Sequence, residues 1–243
     1  MSASRPPTAP RDTPPEHGNF KRYYSLRPGV NESRLAHLPA GFFVGRRLLD
    51  VGCNAGELTL LVTRRHHPVF VEGLDIDGDL VRIAECHRRM ILEGISAMRE
   101  VLPLTWCRWE TYFKNCVRFS QADILEYSPA RPFDTVMCLS VSKWVHLNRG
   151  DEGLLRLFDA LYAATAPRGV LIFEFQEWQS YKNSRGVSQT CKRNFDRISI
   201  RPEQFVEELG RRGWALVELF RHCGGGDSRL SRPVAVLRKI ESS

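Results

Sequence analysis

The stretch that most restricts this chain is Arg46 to Asp77, RRLLDVGCNAGELTLLVTRRHHPVFVEGLDID. A short apolar run, Leu48 to Val51, is followed by a turn built on Gly52 and Gly56. Next come Leu58, Leu60, Leu61 and Val62, which share a helix face, and then a second apolar run from Val69 to Leu74 that ends in Asp75. The pattern predicts strand, tight loop, helix, strand. Glycines permit turns and close backbone approach to a ligand. An acid about 25 residues past the first strand stands where an α/β nucleotide site places its ribose acceptor. The loop, Gly-Cys-Asn-Ala-Gly, departs from the dinucleotide pattern Gly-x-Gly-x-x-Gly. It leaves room for a nucleoside without a pyrophosphate cradle.

A chain of 243 residues fits one large α/β domain. Hydrophobic residues make up 42%, which excludes disorder throughout. The formal charge is +7, from 35 Lys and Arg against 28 Asp and Glu, and it admits either a solvated basic surface or a polyanionic partner. Seven cysteines are widely spaced with no Cys-x-x-Cys, which argues against a structural zinc and suits a reducing compartment. No metal is expected. No apolar run is long enough to cross a bilayer, so no membrane association is expected.

Residues 1–16, rich in Pro, Ser, Thr and Arg, read as a disordered tail. Residues 17–243 read as a single domain whose first part, 17–38, is an aromatic and basic lid. There Asn19, Phe20, Lys21, Arg22, Tyr23, Tyr24 and Arg27 interleave, before a short helix carrying Arg34. The rings either dock on the core or stack on a ligand, and the cations either snorkel or meet phosphate. A helix is expected from Asp79 to Leu92. An inserted helix or loop follows from Glu93 to Phe113, and further strands are expected at Cys116–Phe119, Phe133–Leu139 and Val170–Phe175. Gln176 to Arg193 reads as a polar, basic loop. Trp214–Phe220 and Pro233–Leu237 would close the sheet as an antiparallel hairpin around a glycine-rich turn.

In a doubly wound sheet Asp50, Asp75, Asp123 and the segment from Ser140 end on one rim. Such a set is sized for S-adenosylmethionine. Asp75, with Ile76 beside it, accepts from the ribose, Asp123 accepts from the adenine amine, and Ile124 lies on the adenine face. Gly52 and Asn54 hold the amino acid end, with Gly56 and Leu139 completing the expected contacts.

These residues carry a family resemblance. Cys138 to Leu154, CLSVSKWVHLNRGDEGL, is the most specific piece. HGNFKRYY at His17–Tyr24, LDVGCNAGELT at Leu49–Thr59, GLDID at Gly73–Asp77 and RISIRPEQF at Arg197–Phe205 support it. The chain resembles the Bin3 family of RNA methyltransferases, and within it the branch that caps small nuclear RNA. The resemblance implies a class I methyltransferase fold: Rossmann-like α/β, with a mostly parallel seven-stranded sheet, helices on both faces and an antiparallel carboxyl-terminal hairpin. It further implies methyl transfer from S-adenosylmethionine to the terminal γ-phosphate of an RNA 5′-triphosphate. Transfer to a 5′-monophosphate, or RNA 5′-end protection without catalysis, are the alternatives. Nuclear residence, ribonucleoprotein partners and a monomeric enzyme are also expected.

For a phosphate nucleophile no strong base is needed, because its oxygen is already anionic. The chemistry calls for alignment and for cations, bidentate from Arg or point-like from Lys. Lys143, Arg22 and Tyr23 are the expected catalytic groups. Arg34 is expected at the cofactor. Asn19, Lys21, Arg22, Arg27, Lys143, Gln176, Trp178, Tyr181, Lys182 and Arg185 are the expected substrate contacts. His146 is expected to be structural. One departure from the family is Glu174-Phe175-Gln176-Glu177-Trp178, where Glu-Pro-Gln-Pro-Trp is usual. Glu177 would repel phosphate unless it points away.

Overall fold

A computed structural model describes residues 17–18, 36–97, 103–223 and 232–240. The unit read first from the sequence is β1 (Arg47–Val51), α1 (Glu57–His66) and β2 (Phe70–Asp75). Then come α2 (Gly78–Ala97), α3 (Pro103–Cys116), β3 (Val117–Gln121), β4 (Phe133–Leu139), α4 (Ser142–Ala164) and β5 (Thr165–Glu174). Two short helices follow, α5 (Trp178–Ser184) and α6 (Gln189–Phe195). A 3-10 turn at Pro202–Gln204 leads into α7 (Phe205–Gly210), and β6 (Trp214–Cys223) and β7 (Arg232–Lys239) complete the chain.

The sheet has seven strands in the order β3-β2-β1-β4-β5-β7-β6. The first five are mutually parallel, and β7 lies antiparallel between β5 and β6. Parallel strands buried on both faces read as near-continuous apolar runs. Period-two alternation still sorts them. Leu49, Val51, Val136, Cys138, Leu171 and Phe173 pack under α4 and α7, while Leu48, Met137, Val170 and Ile172 pack under α1. A third cluster, including Cys53, Ala84, Phe113 and Phe119, seats α2 and α3 against β3.

Four expectations change on folding. The stretch 93–113 is neither one helix nor one loop. Its start extends α2 to Ala97, and its end belongs to α3, whose Phe113 is fully buried. The loop after β5 is two helices with Tyr181 and Cys191 turned into the core. The turn at Pro167–Gly169 sits within β5 as a bulge, where Arg168 takes a φ of 60°. Asp50 is buried and accepts from Thr59 Oγ1 at 2.6 Å, tying β1 to α1 instead of joining the rim. The glycine-rich turn at 224–227 lies outside the described residues.

Two helical segments meet in α4 at Gly150, whose φ of 66° and ψ of −167° interrupt it. This region is nearly closed to residues with a side chain. Because a Cβ at position 150 would meet nothing within 4 Å, the backbone alone demands glycine. The Gly150→Ala substitution is therefore expected to cost about 1–3 kcal/mol, read as a lower urea midpoint with an unchanged slope.

Candidate active site

Open α/β sheets bind ligands outside the carboxyl ends of their parallel strands. Here a cavity of ≈ 260 Å³ opens at that edge, between β1, β2 and β4, and extends to α4, α5 and the start of β7. Its nucleoside end is centred on Asp75. The backbone N–H of Asn54 donates to its Oδ2 at 2.8 Å, and that of Asp77 to its Oδ1 at 2.9 Å. Asn54 can present its N–H because its backbone is left-handed, with φ 53°, a conformation Asn tolerates better than most residues. Burial raises the Asp75 pKa above the usual carboxylate value, and the two backbone donors oppose that rise. Hydroxyl donors from a ligand would favour the ionised carboxylate further.

Gly52, Ile76, Asp123, Ile124 and Leu139 line the same cavity. Asp123 is already engaged: Leu125 N donates to its Oδ1 at 3.0 Å and Arg149 Nη2 to its Oδ2 at 3.1 Å. A ligand amine must share this carboxylate with Arg149. Gly56 is off the cavity. A Cβ there would lie 2.7–2.8 Å from Phe119 and Ala84, so its role is to let α1 start close to α2 and β3.

The other end of the cavity is cationic. Lys143, only 6% exposed, donates to Ser180 Oγ at 3.1 Å and Ser184 Oγ at 3.0 Å, and its ammonium sits 4.4 Å from the centre of the Trp144 ring. Opposite, Arg232 at the start of β7 pairs with Glu174 and donates to Ser140 Oγ. Ser140 has a φ of 66°, a strained value for serine, directly after β4. Gln176 donates Nε2 to Ser140 O at 3.3 Å, while its buried Oε1 accepts from no described residue. A buried acceptor left so costs about 1–3 kcal/mol, which a ligand N–H or O–H in this cavity would recover.

Of the other expected contacts, Trp178 and Tyr181 face away from the cavity. Trp178 stacks on Phe195 at 4.8 Å and under the Arg201 guanidinium at 3.6 Å. Tyr181 is fully buried beside His146. Lys182 and Arg185 are exposed on α5 and the turn after it, with Arg185 over the Phe195 ring. Phe175 joins the core and Glu177 is exposed off the cavity, so the altered loop sequence places no carboxylate inside. Asn19, Lys21, Arg22, Tyr23, Arg27 and Arg34 lie outside the described residues. His17 and Gly18 do line the cavity, and Gly18, with φ 73°, passes so close to the Trp144 indole that a Cβ would lie 2.0 Å from its Nε1.

Sequence reasoning did not single out Arg149, Arg232, Ser180 or Ser184. Arg149 falls within the Cys138–Leu154 string, yet its contact with Asp123 exists only in the fold. Arg232 carries no local signal at all, because β7 reaches the cavity by inserting next to β5.

A triad of His146 and Tyr181, both buried, with the half-buried Asp151 supports this end. His146 shares one hydrogen bond with Asp151 at 2.7 Å and one with the Tyr181 hydroxyl at 3.3 Å, while Ser199 and Ile200 donate their backbone N–H groups to Asp151. Donors hold the Asp151 pKa below its usual value despite burial. An ionised Asp151 only accepts, so His146 carries its proton on Nε2 and receives the phenol proton at Nδ1. Burial lowers the His146 pKa from the ordinary 6.5. As the pH falls below 6.5 the unfolded chain takes up a proton that the folded one refuses, so stability should decline. Asp151, whose folded pKa is depressed, adds a further loss at lower pH, in the carboxylate range. Urea midpoints against pH should show both steps, and His146→Gln should shrink the upper one, leaving the part contributed by His66, whose pKa burial also lowers.

The comparisons follow this geometry. A sequence model described as "Bicoid-interacting protein 3 (Bin3)" matches residues 133–239. The chain is 31% identical to the human 7SK snRNA methylphosphate capping enzyme, over 93% of this chain and 40% of that protein. It is 29% identical to the U6 snRNA methylphosphate capping enzyme Amus of Drosophila melanogaster, over 92% of this chain and 75% of that protein. The chain thus spans about two fifths of the human relative's length. Among solved structures, the N-methyltransferase NodS from Bradyrhizobium japonicum, in complex with S-adenosyl-L-homocysteine, superposes with a TM-score of 0.62. It shares 19% identity, with 96% of this chain and 94% of that one covered, a likeness of fold. The sheet is that of a class I methyltransferase, and the match to the Bin3 family begins at β4 and runs to the last residue of β7.

Proposed function

We propose that this protein transfers a methyl group from S-adenosylmethionine to the terminal phosphate of an RNA 5′ end, with the γ-phosphate of a 5′-triphosphate as acceptor. The carrying observation is that one cavity joins the Asp75 carboxylate, oriented by two backbone N–H groups, to the Lys143 ammonium, oriented by two serine hydroxyls. A ribose diol complements the first and a phosphate complements the second. Small nuclear RNA as substrate, and the nucleus as the site of action, follow from the relatives and belong to the same proposal.

The residues present fit the cofactor. Asp75 would accept from the ribose, Ile76 and Ile124 would border the base, and Asp123 would receive the base amine in company with Arg149. Gly52 and Asn54 leave the loop after β1 open to the amino acid end. S-adenosylmethionine supplies an electrophilic sulfonium methyl. The protein's part is alignment and exclusion of water, because a phosphate oxygen is anionic without a general base. Correct placement of reacting groups is worth up to roughly 7–11 kcal/mol in favourable systems. Lys143 offers a point charge that draws the phosphate in without gripping the attacking oxygen on two sides. Arg232, already paired with Glu174, presents a rim cation of reduced net charge. Arg22, Tyr23 and the neighbouring lid residues supply further phosphate contacts in this reading. His17 and Gly18 at the cavity wall, with Gly18 against Trp144, support that reading. His146 does not itself line the cavity and acts by positioning α5, whose Ser180 and Ser184 hold Lys143.

The testing experiment is methyl incorporation from labelled S-adenosylmethionine into one short RNA carrying a 5′-triphosphate, a monophosphate or a hydroxyl, with the modified group mapped. Label on the triphosphate RNA alone is expected. Preference for the monophosphate would move the acceptor, and no label despite tight RNA binding would leave a role in end protection. Asp75→Asn should weaken cofactor binding at least ten-fold, since hydrogen bonds to a charged group contribute about 1.5–3 kcal/mol. Lys143→Met should lower turnover while leaving cofactor affinity nearly unchanged, and calorimetry beside the kinetic assay separates the two.

A further inference from the structure

The cavity does not account for the chain's positive charge. Among the described residues its lining sets Lys143, Arg149 and Arg232 against Asp75 and Asp123, with Arg149 and Arg232 each in an ion pair. The opposite edge of the sheet is different. Strand register there brings the amino ends of the parallel strands and the carboxyl end of β7 to one level. Arg46 precedes β1, beside the paired residues Arg47 and Phe70. Arg131 precedes β4. Arg168 lies at the β5 bulge, and Arg238 is the register partner of both Val170 and Ala215. Arg64 in the last turn of α1 and Lys114 in the last turn of α3 extend the row toward β2 and β3.

All six side chains are exposed. Among the described residues none of Arg46, Arg64, Lys114, Arg131 and Arg238 forms an ion pair. Local bonds tie parts of this edge together. Val69 N donates to Arg46 O at 3.0 Å, Gly45 N donates to His67 O at 3.4 Å, and Arg238 Nη1 donates to Arg168 O at 3.1 Å. Near its β3 end the His67 ring stands 4.7 Å from that of Trp109.

We infer that this edge, the one opposite the cavity, is a second nucleic-acid surface that holds the phosphate backbone of the substrate RNA's body. Seven strands spaced by about 4.8 Å make an edge about 30 Å long. A nucleic-acid duplex carries phosphates every few ångströms along its axis, so a segment of this length offers a phosphate for each cation of the row. Five of the six cations are arginines, the residue suited to bidentate phosphate contact. Five cations along one line, none of them in an ion pair among the described residues, favour a linear polyanion over a planar acidic lipid surface. Cations that meet phosphates carry no sequence information, so the contact is independent of sequence. The inference rests on the RNA reading above for the identity of the polyanion.

The test uses the full chain, with Arg46→Gln, Arg64→Gln and Arg131→Gln combined. Affinity for a stem-loop RNA with a 5′-triphosphate is measured across a salt series, with methylation of a 5′-triphosphate trinucleotide alongside. The expected result is at least ten-fold weaker stem-loop binding and a log–log salt slope shallower by about two, since each lost phosphate contact removes about 0.7–0.9. Trinucleotide turnover and the thermal midpoint should be unchanged. An unaltered stem-loop affinity and slope would overturn the inference. So would a loss confined to vesicles containing phosphatidylserine, which would assign the edge to a membrane. The two readings fail separately. If the parent protein methylates no RNA but the slope still falls, the edge stands without the reaction. Methylation with an unchanged slope leaves the reaction without the edge.

Discussion

Everything at the cavity depends on the pairing of β1 with β2 on one side and β4 on the other. Register sets Val51 beside Leu74 and Cys138. With all three strands parallel, the three following segments leave the sheet on one edge and at one height. Gly52–Asn54, Asp75–Ile76 and Ser140–Lys143 therefore converge although they are far apart in sequence. The pairing is specified by burial. A slip by one residue would exchange Leu48 with Leu49 between two faces that are both fully packed. Backbone N–H groups exposed by the loop after β1 then fix the Asp75 carboxylate, so a main-chain arrangement determines the orientation of the principal acid.

The cationic end is held by a different device. Lys143 is oriented through serines of α5, and α5 is pinned by Tyr181 and Trp178. Tyr181 reaches His146, and His146 reaches Asp151, which also gathers the backbone before the 3-10 turn at Pro202. The kink at Gly150 is what lets His146 and Asp151 face each other from the two halves of α4. Arg149, just before it, pairs with Asp123. One glycine thus couples the nucleoside end of the cavity to the phosphate end, at the cost of a backbone conformation few other residues adopt. The histidine is removed from proton transfer by this arrangement and serves as a neutral, oriented link.

Charge is distributed by the same topology. Parallel strands gather the carboxylates Asp75 and Asp123 at their carboxyl ends, while several of the helices and turns that enter the strands carry basic residues. Cations in a last helical turn complement the helix dipole, as at Arg64 and Lys114. The two edges of one sheet consequently differ in potential.

The sequence by itself determined the sheet's first half, the antiparallel end and the rim residues Gly52, Asn54, Asp75, Asp123, Leu139 and Lys143. Each depends on local order: an apolar run, a turn, and a polar residue at the strand's end. The motif around Lys143 also carried the family. Local order has no access to which way a helical side chain turns, so Trp178 and Tyr181 looked like ligand contacts when their apolar rings were needed by the core. Asp50 looked like a rim acid until packing brought Thr59 to it. Only the tertiary structure decided that Arg232 enters the cavity beside Glu174, because that contact exists only when β7 inserts against β5. Likewise, scattered arginines become one basic edge only when strand register sets them at the same level.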